Sequence, residues 1–214
     1  RRQARHRPGH ASGGDALSRV PTGHKRQGSA LEANRRDELL RAAARLFVEK
    51  GFDATTTRDI AEAVGMRSGS PFYHFRSKQD LLMAAMIEGL EAGHQRLQAA
   101  VAGIDDPERR LRVMIRSHLG TLLEGDCHAP MLVYESRSLG ITARAEIAAV
   151  SDRYQQAWQA TLEQLAASGK LRLPAKPTRL LLFGMLNWSR QWYRSNGGLS
   201  LDEIAEAAAE MVLA

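Results

Sequence analysis

Disulfide chemistry and membrane insertion are the first possibilities that this sequence excludes. Only Cys127 is a cysteine among the 214 residues, so the chain can form no internal disulfide and no zinc cage of several thiolates. No apolar run approaches the roughly 20 residues that a membrane-spanning helix requires. These absences favour a protein of the reducing cytoplasm whose stability comes from hydrophobic packing.

Sequence signs of catalysis are also missing. The chain has no glycine-rich phosphate loop, no G-x-S-x-G elbow and no two carboxylates at a convincing spacing on one helix face. Cys127 and His128 follow Asp126, but no partner lies at the spacing of a metal site. We therefore expect no catalytic residue, no metal and no cofactor, and an all-helical enzyme or ligand carrier remains the alternative interpretation.

The positive charge is concentrated at one end of the chain. The net charge is +6, and residues 1–36 hold nine Lys and Arg against Asp15 and Glu32. That segment carries +7, which leaves −1 for the rest of the chain. We expect the basic segment to attract phosphate at long range, while a few placed side chains provide any specific recognition of nucleic acid.

Residues 1–33 mix Arg, Gly, Ser, Pro and His without helical or strand periodicity. This composition predicts a mobile basic extension. A vector-derived remnant and an organelle transit peptide are the alternatives, because a transit peptide is also rich in Arg and poor in acidic residues.

An amphipathic helix follows the extension, from Asn34 to Lys50, because its apolar residues recur at spacings of three and four and Gly51 ends the pattern. Thr56 and Asp59 then have the spacing of a capping box at the start of a second, short helix. Gly65 permits the tight turn after that helix.

A third short helix is expected within residues 68–75, and a long fourth helix from Ser77 to about Ala102. Two short helices joined by a glycine turn are the elements of a helix-turn-helix. No run is typical of a strand, so we expect an all-α fold of about nine helices. The remaining helices are predicted at 108–123, 130–138, 142–167, 178–195 and 201–213.

The segment from Arg36 to Leu82 resembles, without a gap, the DNA-binding domain of the TetR family of bacterial transcriptional regulators. The resemblance is carried by the run of Phe72, Tyr73, His74 and Phe75 followed by Ser-Lys before a new helix. It implies an operator of double-stranded DNA as the partner. It also implies backbone contacts from Thr56, Thr57, Ser70, Phe72, Tyr73, His74 and Lys78, and positions in or near the groove for Arg58, Arg67, Ser68 and Gly69.

Two residues depart from the family pattern. Pro71 stands where the family usually has an inward-packing Leu or Ile, and its missing N–H is harmless only in a first helical turn. Phe72 stands where many members have Tyr, so this position has no hydroxyl to offer to phosphate. Both departures affect the detail of the groove contacts rather than the resemblance.

The resemblance divides the chain into the extension at 1–33, a three-helix DNA-binding domain at 34–80 and a helical ligand-binding and dimerisation domain at 81–214. It implies a homodimer paired through the last two helices, with filling of a monomer core as the alternative. The residues expected at this interface are bulky, small or amphipathic: Leu180, Leu181, Phe183, Gly184, Asn187, Trp188, Gln191 and Trp192.

A ligand pocket is expected in the C-terminal domain, because Met and aromatic side chains adapt to an apolar ligand while His and Tyr orient it. Plain core packing is the alternative for each candidate. The end of the chain resembles family members that control lipid or steroid breakdown, which implies a repressor released by a hydrophobic or acyl-CoA effector. The candidates are Met114, His118, Met131, Tyr134, Tyr154, Trp158, Met185 and Trp188.

Overall fold

The computed structural model describes residues 24–66, 74–124 and 136–214. Within these ranges the backbone forms helices joined by short loops, and the only β pairing is an isolated bridge between Leu171 and Leu213. No helix in the described part of the chain is both long and apolar enough to cross a membrane. The seven α-helices are α1 (His24–Lys50), α2 (Thr57–Ala63), α3 (Lys78–Val101), α4 (Pro107–Leu123), α5 (Ile141–Ala167), α6 (Ala175–Trp192) and α7 (Leu201–Val212).

The all-helical prediction is confirmed for the described residues, but the expected number of about nine helices is wrong there. The predicted helix at 68–75 lies outside the described residues except for its last two positions. Of the predicted helix at 130–138, only Ser136–Ser138 is described, and it forms a single 3-10 turn. Gly140, two residues after this turn, is the N-cap of α5, so no further helical turn fits between the two elements.

Local capping chemistry sets the start of three helices. The Thr56 backbone N–H donates to Asp59 at 2.8 Å, and the Asp59 N–H donates back to the Thr56 hydroxyl at 3.1 Å, so the predicted capping box of α2 is confirmed. Ser77 caps α3 by accepting from the Asp80 N–H. Ser200 forms a second capping box at the start of α7.

Helix α1 begins at His24, although the sequence pattern predicts a start at Asn34. Residues 24–33, assigned from composition to the mobile extension, are therefore helical. The segment follows Pro21, the last proline of the extension, and the good helix formers Ala30, Leu31 and Ala33 outweigh the single Gly28.

The interior consists of two hydrophobic cores. The N-terminal core joins α1, α2 and the first turns of α3 around Phe47, Ile60 and Leu82, all fully buried. The C-terminal core joins α3 to α7 around Trp158 and Leu162. Burial of this apolar surface is the main source of stability for both.

Two helices take part in both cores. Helix α3 contributes Leu82 and Met86 to the N-terminal core and Leu97 to the C-terminal core. Helix α5 contributes Ile147 to the N-terminal core and Trp158 to the C-terminal core. The predicted domain boundary at residue 80 therefore falls at the start of a helix that both cores share.

Candidate nucleic-acid interface and ligand cavity

Helix α2 presents its first turn to solvent. Thr56 is exposed, Thr57 is half-buried and Arg58 is exposed, and the Arg58 Nε donates to Glu62 at 2.8 Å on the same helix. On the opposite face Ile60 and Ala61 are fully buried. The hydrogen bonds from Thr56 hold the pKa of Asp59 below its usual value, so the cap remains ionised near neutral pH.

The turn after α2 is made by Gly65, whose φ of +65° lies in the left-handed region that a glycine adopts without strain. The residues after Met66 and before His74 lie outside the described part of the chain. The predicted contacts that fall there remain predictions, and they are Arg67, Ser68, Gly69, Ser70, Phe72 and Tyr73. At the far end of this gap, His74 is half-buried and Phe75 is buried in the N-terminal core.

Lys78 has structural partners that the motif does not reveal. Its ammonium donates to the carbonyl of Phe52 at 2.7 Å and to that of Thr55 at 2.9 Å. It also lies 4.2 Å from the centre of the Phe52 ring. Because Lys78 is the first residue of α3, these bonds link that helix to the loop that precedes α2.

Arg36 links α1 to α3, in addition to the Lys78 bonds that link α3 to the loop before α2. Its guanidinium donates to Glu88 at 2.7 Å and lies 5.2 Å from the centre of the Phe75 ring. Together with the Lys78 bonds, this pair fixes the orientation of α3 against the N-terminal core.

A cavity of about 450 Å³ lies in the C-terminal core between α3, α4, α5 and α6. Glycines of α3 form one wall, and at Gly93 an added Cβ would come within 3.9 Å of the Thr121 side chain. The lining is Gly89, Leu90, Gly93, His118, Thr121, Leu122, Ser151, Tyr154, Gln155, Arg179, Leu180, Phe183 and Asn187.

A hydrogen-bonded triad of His118, Tyr154 and Asn187 lies on this lining. His118 Nδ1 is 2.8 Å from the Tyr154 hydroxyl, and His118 Nε2 is 3.2 Å from the Asn187 side-chain oxygen. The rings of Trp158 and Phe183 surround the imidazole, with centroids 5.8 and 5.4 Å away. We call these three hydrogen-bonded residues the polar triad.

Burial by these rings lowers the pKa of His118 to about 4, although the hydrogen bond to Asn187 acts in the opposite direction. Burial also raises the pKa of Tyr154. Both side chains are therefore uncharged at neutral pH, and the triad offers hydrogen bonds without a charge.

The charged group of the cavity lining is Arg179 on α6. Its Nε donates to Gln159 at 3.0 Å and its Nη1 donates to Gln155, both on α5. These partners are neutral amides rather than carboxylates, so they orient the guanidinium without neutralising its charge.

The structure brings two of the predicted ligand residues, His118 and Tyr154, to the cavity. Met114 and Trp158 are buried in the C-terminal core, and Met185 packs against that core. Trp188 is 64% exposed and is not part of the lining. Met131 and Tyr134 lie outside the described residues.

Leu180, Phe183 and Asn187, which were expected at the dimer interface, line the cavity. Phe183 and Asn187 lie four residues apart on α6, so one turn of helix places both side chains on the same inward face. Arg179, one turn earlier, completes this face. Arg179, Phe183 and Asn187 recur at a spacing of four in the sequence, which could have indicated a shared helix face. Because the three side chains differ in chemistry, this spacing does not stand out as a pattern.

The other face of α6 is apolar and exposed. Leu181 is 63% exposed and Trp188 is 64% exposed, and Gly184 and Trp192 lie on the same side of the helix. On α7, Met211 is also 64% exposed. The expected interface residues thus separate into three that line the cavity, Leu180, Phe183 and Asn187, and an outward stripe.

No group of three His, Cys, Asp or Glu side chains is arranged to hold a metal within the ranges that the structure describes. Cys127 and His128, whose adjacency had raised the question of a metal, lie outside those ranges.

Two family models match the chain. The model described as "Bacterial regulatory proteins, tetR family" matches residues 39–85. The model described as "Tetracyclin repressor-like, C-terminal domain" matches residues 105–214. The first match includes α2 and the Lys78 bonds, and the second includes most of the cavity lining.

Similar proteins extend over most of the chain. The repressor KstR2 of Mycolicibacterium smegmatis is 27% identical over 186 residues, which are 85% of this chain and 90% of that protein. The structure of AibR with isovaleryl coenzyme A and operator DNA is 26% identical, with a TM-score of 0.77, over 83% of this chain and 97% of that one. The structure of the superantigen PfiT is 40% identical, with a TM-score of 0.71, over 83% of this chain and 95% of that one.

The C-terminal model alone spans half of the chain, and the N-terminal model matches the helix-turn-helix region beside it. On these matches and on the helical architecture described above, the chain belongs to the tetR family of bacterial regulatory proteins.

Proposed function

We propose that this protein is a ligand-responsive repressor that binds operator DNA and leaves it when a small hydrophobic or acyl-CoA effector fills the cavity. The observation that carries the proposal is the course of α3. Lys78 at its start is bonded to the loop before α2, while Gly89 and Gly93 of the same helix line the cavity. A ligand that displaces α3 also displaces the helix-turn-helix, and a coupling of about 1–3 kcal/mol weakens operator binding roughly 5- to 150-fold.

Helix α5 supports the same proposal by a second connection. Ile147 of α5 and Leu139, which lies just before this helix, are buried in the N-terminal core. Ser151, Tyr154 and Gln155 line the cavity one to two turns later. Movement of α5 on ligand binding is therefore transmitted to the core that supports the DNA-binding helices.

Homodimerisation through α6 and α7 is part of the proposal. The exposed stripe that includes Leu181 and Trp188 places large apolar and aromatic side chains together in solvent, a composition that favours pairing with a second copy. Pairing two copies through it gives two recognition helices, which a pseudo-palindromic operator accepts when they are about 34–36 Å apart.

The effector class follows from the chemistry of the cavity. Leu90, Leu122 and Phe183 provide apolar walls, and Arg179 provides a cation at which an anionic group can bind. The AibR structure is described as a complex with isovaleryl coenzyme A. We propose that the acyl part of such a molecule occupies the cavity and that an anionic part lies near Arg179.

The DNA contacts named from the motif, and the role of the basic N-terminal segment, complete the proposal. Removing residues 1–23, which leaves α1 intact, should lower the salt slope of binding by about 0.9 for each phosphate that the segment neutralises. Operator choice should stay unchanged, and a loss of sequence preference would instead assign base recognition to that segment.

A gel shift on the duplex upstream of the protein's own gene tests the proposal. We expect saturable, sequence-dependent retardation in the cytoplasmic pH range, release by isovaleryl-CoA or octanoyl-CoA, and at least tenfold weaker binding by Tyr73→Ala. Gln156→Ala, an exposed change on α5, is the matched control and should bind as the wild type does. Absence of any sequence-dependent shift would contradict the proposal that this protein is a repressor. The protein would then share the fold of the family without its DNA-binding function; the similar structure of PfiT, for example, is described as that of a superantigen.

Light scattering tests the homodimer. Trp188→Glu should convert a dimer to a monomer, because it places a charge on the exposed stripe. Gln156→Glu adds the same charge elsewhere on the surface and should leave the dimer intact. A wild-type monomer would contradict this part of the proposal.

A further inference from the structure

We infer that the polar triad recognises an uncharged oxygen group on the effector, a hydroxyl or a ketone, and discriminates against a carboxylate at that position. The inference deepens the proposed function and rests on it in one respect, namely that the cavity is the effector site. It identifies Tyr154 and Asn187 as the residues that determine specificity.

The neutral imidazole of His118 determines which members of the triad donate and which accept. A neutral imidazole has one donor nitrogen and one acceptor nitrogen. The side-chain oxygen of Asn187 can only accept, so His118 Nε2, 3.2 Å away, carries the proton. His118 Nδ1 then accepts, and the Tyr154 hydroxyl donates its proton to it over 2.8 Å.

Two donors and one acceptor remain for a ligand. The Tyr154 oxygen has used its proton but can still accept a hydrogen bond, and both N–H groups of the Asn187 amide can still donate. Turning the amide reverses the roles within the triad, so that the Tyr154 hydroxyl and one Asn187 N–H donate to the ligand and the Asn187 oxygen accepts from it. In both arrangements the free groups match a hydroxyl fully and a ketone through the donors.

Charge sets a further requirement. A buried carboxylate in this place needs a cation, and the triad supplies none, because aromatic rings at 5.8 and 5.4 Å shield His118 from water and keep the imidazole neutral. The lowered pKa of His118, about 4, agrees with an imidazole that stays neutral. Leaving an anion buried without a partner is strongly unfavourable.

The opposite end of the effector lies at Arg179. Arg179 and Asn187 are both on α6 and on its cavity face. They are eight positions apart, and at 1.5 Å of rise per residue their backbones are about 12 Å apart along the helix. The effector class is thus an apolar body with an uncharged oxygen at one end and an anionic group at the other.

Three probes that share the naphthalene ring system and differ in one substituent test the triad without knowledge of the effector: naphthalene, 2-naphthol and 2-naphthoate. We expect calorimetry on the full chain to give 2-naphthol about tenfold tighter binding than naphthalene, as two added hydrogen bonds imply. We expect any binding of 2-naphthoate to depend on Arg179, and therefore to be lost in Arg179→Gln, because the triad does not accommodate the carboxylate. Asn187→Leu and Tyr154→Phe, made separately in case one fails to fold, should reduce 2-naphthol binding to the level of naphthalene.

Thr121→Val is the matched control, because Thr121 lines the same cavity outside the triad, and it should keep the preference for 2-naphthol. The inference is overturned if the wild type binds naphthalene and 2-naphthol equally, if it binds neither of them, or if changes in the triad weaken 2-naphthoate binding as much as they weaken 2-naphthol binding. It is also overturned if the preference survives in both triad variants. Binding of 2-naphthol without any effect on the operator gel shift would leave the inference standing and contradict the proposed function instead.

Discussion

The two cores of this molecule differ in the chemistry of the side chains that build them. The N-terminal core is built from apolar residues, three of them phenylalanines, and the ring centroids of Phe47 and Phe52 are 5.3 Å apart. The C-terminal core borders a cavity of about 450 Å³ and contains polar groups that bond one another. Packed apolar side chains hold the DNA-binding helices in one arrangement, whereas a core that borders a cavity can change when a ligand enters it.

The connection between the cores is as informative as their difference. Only α3 and α5, among the described elements, place buried side chains in both. Both helices also line the cavity. A change that starts at the ligand therefore has two rigid routes to the DNA-binding helices, and variants that alter one core should reveal how independent the other is.

The largest expected effect comes from opening a void in the N-terminal core. Phe47→Ala removes a fully buried ring, and we expect a loss of about 3–5 kcal/mol of unfolding free energy. Phe183→Ala, beside the cavity and only partly buried, should lose about half as much. Urea unfolding of both variants measures the difference, and equal losses would contradict the contrast between the two cores.

The next effect tests the bonds of Lys78. Lys78→Met keeps the apolar stem over Phe52 but removes the donor to two carbonyls, so we expect a loss of about 2–3 kcal/mol without DNA present. Lys50→Met is the matched control, because its ion pair with Asp59 is long, at 3.8 Å, and exposed, and should contribute less than about 1 kcal/mol. If Lys78→Met unfolds like the wild type and only loses DNA binding, Lys78 acts solely on phosphate.

The sequence predicted the DNA-binding half better than the cavity, for a physical reason. The capping box at Thr56 and the turn at Gly65 depend on residues within a few positions of one another, and both are confirmed. The cavity depends on four helices that meet at distances no local pattern encodes. His118 and Tyr154 were named as ligand residues by residue type, whereas Asn187, which also lines the cavity, was expected only at the dimer interface.

The loop before α5 shows the same limit. Periodicity predicts a helix at 130–138, but its described end is one 3-10 turn followed by the N-cap Gly140. The bonds of Lys78 were likewise unpredictable, since the carbonyls of Phe52 and Thr55 are brought to it only by the packing of α3 against α1.

A pH change tests the polar part of the C-terminal core. The pKa of His118 is lowered from 6.5 to about 4 by folding, so the unfolded chain binds the proton first as the pH falls. Its contribution to stability is present above pH 6.5 and is lost between about pH 6.5 and 4, which gives about 2 kcal/mol of destabilisation from pH 7 to pH 5. His118→Gln should remove this difference in urea unfolding at the two pH values, and an unchanged pH dependence in the variant would show that other groups cause it.

The smallest expected effect comes from a substitution that fills a little of the cavity in the C-terminal core. Gly93 lies inside α3, and a Cβ there would meet only Thr121, at an ordinary contact distance of 3.9 Å. Gly93→Ala should therefore raise the unfolding free energy by about 0.5–1 kcal/mol through helix propensity while weakening binding of 2-naphthol. Gly120→Ala on α4, outside the cavity lining, is the control. Its Cβ would meet the flexible ends of Arg116 and Glu124 at 3.0 and 3.3 Å, so its gain in stability should be smaller than that of Gly93→Ala, and ligand affinity should stay unchanged because no ligand space is occupied. If both variants weaken the ligand equally, the rigidity of the C-terminal core rather than its empty volume governs binding.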